Sequence, residues 1–178
     1  MPVTNPWLSD PTPRRRLDRH QLEERILNLL SSHNVGVLAT TGPHGAHATP
    51  VRYNHLDLSV LFTAKAGSPK LRNIAADHRV SFAIVASLSG RASSRGAQIF
   101  GQARVLTPAD NDHAYYFAAV RWENEQAERG LPLTEPPLGP LVVVDPARIV
   151  YTEHWLARSG YAPRQFWTRS ARNNAMIE

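Results

Sequence analysis

Apolar positions fall into short runs separated by polar or turn-forming residues along most of this chain. From about Arg19 to Ser32, Leu22, Ile26, Leu29 and Leu30 recur at helical spacing, with charge on the other face. Asn34 and Gly36 follow, where a helix would stop. Beyond them the period changes. Val35–Thr41 (VGVLATT) is apolar and β-branched, as in a buried strand, and Gly42-Pro43-His44-Gly45 is a turn by composition. Ala46–Tyr53 reads as a second strand, Asn54–Asp57 as a turn, and Leu58–Ala64 as a third strand. Strands this closely spaced predict an antiparallel meander rather than βαβ units.

A helix is expected over about Ser68–Asp77, with Leu71, Ile74 and Ala75 facing inward. Val80–Ala86 reads as a fourth strand, Ser87–Arg95 as a polar loop, and Ala97–Leu106 as a fifth strand in which Gly101 suggests a bulge or a sharp bend. Thr107-Pro108 opens a helix running to about Arg129. Leu131–Pro140 holds four prolines and reads as a loop, and Leu141–Val144 and Arg148–Tyr151 as a last strand pair around Asp145-Pro146. The pattern predicts a mainly β fold: a closed or nearly closed antiparallel barrel of six or seven strands with peripheral helices. Residues 1–18 read as an extended, Pro-rich basic arm anchored only by Trp7 and Leu8, 19–157 as the barrel domain, and 158–178 as an aromatic tail that docks on the barrel or on a partner.

Composition narrows the chemistry. The 178 residues suit one domain with a proper core. There is no cysteine, so disulfides, thiolate metal sites and cysteine nucleophiles are excluded. The net charge of +5 gathers near the ends, as in a solvated basic arm, and no nucleic-acid-binding signature accompanies it. No run is long and apolar enough for a membrane helix, and the N-terminus lacks a signal-like apolar core. The expectation is a cytoplasmic protein with no membrane or nucleic-acid partner. The eight histidines are scattered; His44 and His47 share a turn without a carboxylate or cysteine at metal spacing, so no metal site is expected. There is no Ser-His-Asp or paired-carboxylate pattern.

One segment carries candidate chemistry. Gly67-Ser68-Pro69-Lys70 opens a helix with an N-cap serine, proline at the first position and a lysine beside the positive end of the dipole. Amides, hydroxyl and ammonium there suit a phosphate. Capping alone also explains the serine and proline. Lys65 reads equally as a loop lysine, and Arg52 as the partner of a carboxylate such as Asp57.

The stretches HATPVRY, LFTAKAGSPKLRNIAADHRVSFAIV and AQIFGQARVL resemble the pyridoxamine 5′-phosphate oxidase-like flavoproteins of split-barrel fold. The resemblance covers Val35–Leu106, with weaker agreement to Tyr151. It implies FMN, or a deazaflavin coenzyme, held at a homodimer interface, and an FMN-dependent oxidoreductase acting on a small molecule. It places the strand His47–Arg52 beside the flavin ring, with backbone groups of Thr49, Pro50 and Val51 facing it. It further implies that Phe62 and Thr63 contact the flavin, that Lys65, Ser68 and Lys70 surround the phosphate, and that Arg52 meets cofactor and substrate. Gln98 lies two positions beyond the glutamine that the true oxidases aim at the flavin, hence on the same face of its strand. The substrate-gripping C-terminal motif of those oxidases is lost in EHWLARSGYAPR, so vitamin B6 oxidation is not implied. Haem-binding relatives of the same fold leave a non-enzymatic haem or flavin carrier as the other reading.

Overall fold

The computed structural model describes residues 13–43, 45–86, 95–128, 130, 136 and 139–170. The first part of the arm with Trp7 and Leu8, His44, most of the expected polar loop, most of the Pro-rich loop and the end of the tail lie outside the described residues.

Helix α1 is Arg19–Ser32. Asp18 caps it: its carboxylate accepts from the Gln21 N–H at 2.8 Å, and the Gln21 side chain returns a bond to the Asp18 N–H. Leu22, Ile26, Leu29 and Leu30 are its buried face, as the spacing predicts. The strands are β1 (Val35–Gly42), β2 (Gly45–Arg52), β3 (Asn54–Leu56) and β4 (Ser59–Thr63), then helix α2 (Pro69–Ala76). After these come β5 (Arg79–Val85), β6 (Arg95–Leu106), short helices α3 (His113–Phe117) and α4 (Trp122–Glu128), β7 (Leu141–Glu153), a 3₁₀ turn (His154–Ser159) and β8 (Arg164–Thr168).

All eight strands form one antiparallel sheet in the order β2-β1-β5-β6-β7-β4-β3, with β8 also on β7. Its two ends are joined by a single residue, because β2 stops at Arg52 and β3 starts at Asn54. Tyr53 therefore closes the sheet into a barrel. The ring is buried, edge-on to Phe82 at 5.3 Å, and its hydroxyl donates to the Leu30 carbonyl at 3.0 Å. Side chains alternating along the strands fill the interior: Leu38, Phe62, Phe82, Ile84, Ile99 and Tyr151 are among those with almost no exposure.

Four expectations change. Among the described residues the strand count is eight, because the residue after Tyr53 restarts a strand and the tail adds β8. Leu141–Glu153 is one strand rather than a pair. Its ladder to β6 passes straight through Asp145-Pro146, skipping one residue where Phe100 pairs Arg148 and Gly101 pairs Pro146. A β-carbon on Gly101 would strike the Asp145 carbonyl, so the expected bulge sits where glycine is required by close approach. The helix expected after Thr107 is delayed and broken. The Asp110 carboxylate accepts from both the N–H and hydroxyl of Thr107, tying a turn before α3. Breaking the helix near Val120 lets Val120, Phe117 and Trp122 pack on Leu61, Leu106, Leu141 and Val143 outside the barrel. Last, on α2 the third inward residue is Asn73, and Ala75 is exposed.

Arm and tail meet. Arg15 bridges Tyr161, and the Leu17 N–H donates to Gln165 Oε1 at 3.1 Å. The guanidiniums of Arg15, Arg16 and Arg19 lie over the rings of Tyr161, Phe166 and Trp167. Buried Trp167 donates its indole N–H to Glu23 on α1, which explains its place by packing.

Candidate functional site

The pairing pattern makes the site. Between β3 and β4 the ladder runs from Leu56–Ser59 to Asn54–Leu61. Two further steps would bring Arg52 opposite Thr63, but there β2 leaves to pair with β1, Val35 against Arg52. The strands part at Tyr53. Among the described residues β2 has β1 as its only strand neighbour, so its far edge carries backbone N–H and C=O groups without a ladder partner there. β4 ends at Thr63 and leads through Ala64–Ser68 into α2.

Helix α2 is pinned to β1. Buried Asn73 donates from Nδ2 to Thr40 Oγ1 at 3.2 Å, and its side chain fills the space where a β-carbon on Gly42 would go. Thr40 pairs His47 across the ladder. One hydrogen bond thus ties the helix to the strand position opposite the start of β2.

Ser68 occupies the N-cap position with extended backbone and Pro69 follows at the first helical position, as expected. The expected capping bond is not made. Ser68 Oγ is buried and has no hydrogen-bond partner among the described residues. A buried hydroxyl without a partner costs free energy; Pro69 has no N–H and the Ser68 and Leu71 N–H groups already donate to the Lys65 and Ser68 carbonyls, so an anion here would be met by the Ser68 hydroxyl and the Lys70 N–H. Lys70 is half-buried and Lys65 exposed, so two ammonium groups flank this point in the chain. The Arg72 guanidinium donates to the Gly67 carbonyl at 2.6 Å and adds a third cation to the same turn. The residues present fit a phosphate.

The other expected residues divide. His47, Thr49 and Val51 pair with Thr40, Leu38 and Gly36, so their side chains share the barrel-side face of β2. Pro50 and Arg52 pair with Val37 and Val35 on the opposite face. Only the backbone edge of β2 serves all five together, the role that the resemblance gives to Thr49, Pro50 and Val51. Phe62 is 1% exposed with its ring in the barrel core, so a ligand meets its backbone at most, while Thr63 is half-buried. Gln98 stands apart. It is exposed on the outer face of the sheet, between Ala83 and Val150 in register. The fold of the chain does not bring its side chain to the β2 edge or to α2.

Sequence reasoning missed a second grouping: a cleft of about 400 Å³ where the end of α1, the β2–β3 junction and the α3–α4 turn meet. His33, His55, Arg121 and Asn124 reach it from three separate segments, and no local spacing announces them. Among the described residues no group of three or more His, Cys, Asp or Glu could hold a metal ion, and no helix is long and apolar enough to cross a membrane.

An antiparallel barrel split at one junction, with a phosphate-suited helix start following β4 and the helix packed on β1, defines the class: a split barrel of the pyridoxamine 5′-phosphate oxidase-like type. The family model described as pyridoxamine 5′-phosphate oxidase matches residues 22–151, and the chain belongs to that family. Among solved structures, a Listeria innocua protein provisionally named pyridoxamine 5′-phosphate oxidase is 22% identical, with a TM-score of 0.57 over 73% of this chain and 97% of its own. A heme-binding protein from Mycobacterium smegmatis is 24% identical with a TM-score of 0.62, over 82% of this chain and 57% of its own. An FAD-binding protein from the same organism is 20% identical with a TM-score of 0.55, over 78% of this chain and 91% of its own. At these identities the likeness is one of fold. No curated protein matches the chain in sequence.

Proposed function

We propose that the protein is an FMN-dependent oxidoreductase acting on a small molecule as a homodimer. The observation that carries this reading is the buried, unpartnered Ser68 hydroxyl at the start of α2, flanked by Lys65 and Lys70. Membership of the family and flavin-binding neighbours of the same fold support it. In this reading Ser68, Lys65 and Lys70 hold the FMN phosphate, and the free edge of β2 at Thr49–Val51 reads the ring by its backbone. Bound flavin supplies the hydride or electron transfer; the chain supplies placement, exclusion of water and positive charge from Arg52.

Exposed apolar residues on the outer face of the sheet support the dimer reading. Val35, Val37, Val85 and Phe166 are 54%, 39%, 72% and 44% exposed. Val37 lies in one cross-strand row with Pro50, Ala83, Gln98, Val150 and Phe166. A second copy packed on this row would bury it and would carry Gln98 into the interface, where the resemblance expects it beside the flavin.

The test is the absorbance spectrum of the purified protein with mass analysis of what it releases. Flavin absorption at roughly 450 nm is expected. Absorption at shorter wavelength would replace FMN by a deazaflavin, a haem band would favour the haem-carrier reading, and a colourless protein that binds neither FMN nor haem would overturn the proposal. Lys70→Ala should weaken FMN binding by about 1.5–3 kcal/mol, the worth of a charge-assisted bond to phosphate. Unchanged affinity would place the phosphate elsewhere.

A further inference from the structure

The cleft at the foot of α1 has a one-sided composition. Its polar lining includes Arg52, Arg121, His33, His55, Asn34 and Asn124, and none of the described residues lining it is acidic. Its volume of about 400 Å³ falls in the range of small-molecule sites, roughly 300–1,000 Å³.

One feature opposes an anion there: α1 ends at the cleft, and a helix C-terminus carries about half a negative charge. The structure covers that end with donors. Tyr53 donates its hydroxyl to the Leu30 carbonyl at 3.0 Å. The Leu29 carbonyl accepts from the Ser32 hydroxyl at 3.2 Å and lies 3.1 Å from His33 Nδ1. A carbonyl can only accept, so that bond places the proton on Nδ1. Against the residual half charge stand the guanidiniums of Arg121 and Arg52, both in the lining of the cleft.

The groups are held in place. The Arg121 N–H donates to Asn54 Oδ1 at 3.2 Å, fastening the α3–α4 turn to β3. His55 Nδ1 is 3.0 Å from the Asp57 carbonyl and Nε2 is 2.9 Å from Ser31 Oγ, so the ring is gripped at both ends. None of the cleft residues belongs to the Lys65–Lys70 turn. Arg52, which ends β2, is the residue that the cleft shares with the strand proposed to face the flavin ring.

We infer that this cleft binds a small molecule through a carboxylate or phosphate group, with Arg121, Arg52 and the His33 ring around that anion and the His55 ring lining the cleft beside it. Its identification as the substrate's anionic group, distinct from the flavin phosphate, rests on the flavin reading above; binding of an anion in the cleft does not.

Inorganic phosphate titrated into the full-length, FMN-loaded protein, or into the protein as purified if it takes no FMN, is the probe. The imidazole resonances of His33 and His55, assigned with His33→Gln and His55→Gln, should shift saturably, with those of His78 and His154 unmoved. Arg121→Ala keeps the backbone bond to Asn54. It should weaken phosphate binding on the order of tenfold or more, with FMN affinity within about twofold of the parent protein. Lys70→Ala should show the opposite pattern. Phosphate that shifts neither His33 nor His55, or that binds the Arg121→Ala protein as it binds the parent, overturns the cleft proposal. Lys70→Ala with unaltered FMN binding overturns the flavin phosphate assignment instead, and leaves the cleft to stand on the phosphate titration.

Discussion

Single residues in this barrel show how one neighbour sets a group's chemistry. Asp77, just after α2, accepts from the Arg79 guanidinium, with Nε shared between its two oxygens and Nη2 on Oδ2, and from the Arg79 N–H. The side-chain bond above all, with the backbone bond and the guanidinium charge, brings its carboxyl down to about 2. Because the folded value lies below the unfolded one, this contribution to stability is complete above the ordinary aspartate range, about 3.9. It is lost as pH falls through about 2. An NMR titration should give the Asp77 midpoint near 2, and Arg79→Ala should return it toward the ordinary value. Tyr53 is the opposite case: burial raises its phenol well above the ordinary range, so it stays a neutral donor. Tyr53→Phe removes the bond to Leu30 from the closure point of the barrel and should cost about 1 kcal/mol in urea unfolding. A loss indistinguishable from zero would mean that water replaces the hydroxyl.

Among the elements, β6 and β7 form the longest ladder, and the bulge between them depends on Gly101. Asp145 beside that bulge accepts from Ser59 at 3.0 Å and from Arg104 Nε at 2.9 Å. Arg104 also reaches Asp112 and the Tyr116 hydroxyl. The bulge therefore anchors both β4 and the segment carrying α3. Gly101→Ala would press a methyl group into backbone that cannot rotate away, and should cost about 1–3 kcal/mol in thermal or urea unfolding. Full stability in that variant would show that the β6–β7 ladder can shift to absorb it.

At the scale of the whole molecule, the apolar row through Val37 and Phe166 is the surface that a single protomer leaves open. Val37→Asp puts a charge in the middle of it, where desolvation on pairing is costly. Sedimentation of the parent should give a dimer. The variant should sediment as a monomer with unchanged far-ultraviolet circular dichroism and weaker FMN binding. A parent protein that sediments as a monomer would remove the dimer, and with it the route that brings Gln98 to the flavin.

The sequence by itself determined the local elements and the family. The spacing of Leu22, Ile26, Leu29 and Leu30 marks α1, alternation marks the strands, and Pro69 marks the start of α2, because each signal depends on a residue's own neighbours along the chain. The ordered motifs between Val35 and Leu106 were legible for the same reason. What only the tertiary structure decided depends on residues distant in sequence. Tyr53 closes the barrel because β2 and β3 choose different partners. Ser68 forgoes its cap and is left with a buried hydroxyl. Phe62 turns its ring inward, and the helix after Thr107 breaks to cover a second apolar cluster. The cleft of His33, Arg52, His55 and Arg121 was invisible in the chain, since its charges meet only where three segments are packed together. Burial and charge at such a place are sums over neighbours that the fold brings together, and no window of sequence contains them.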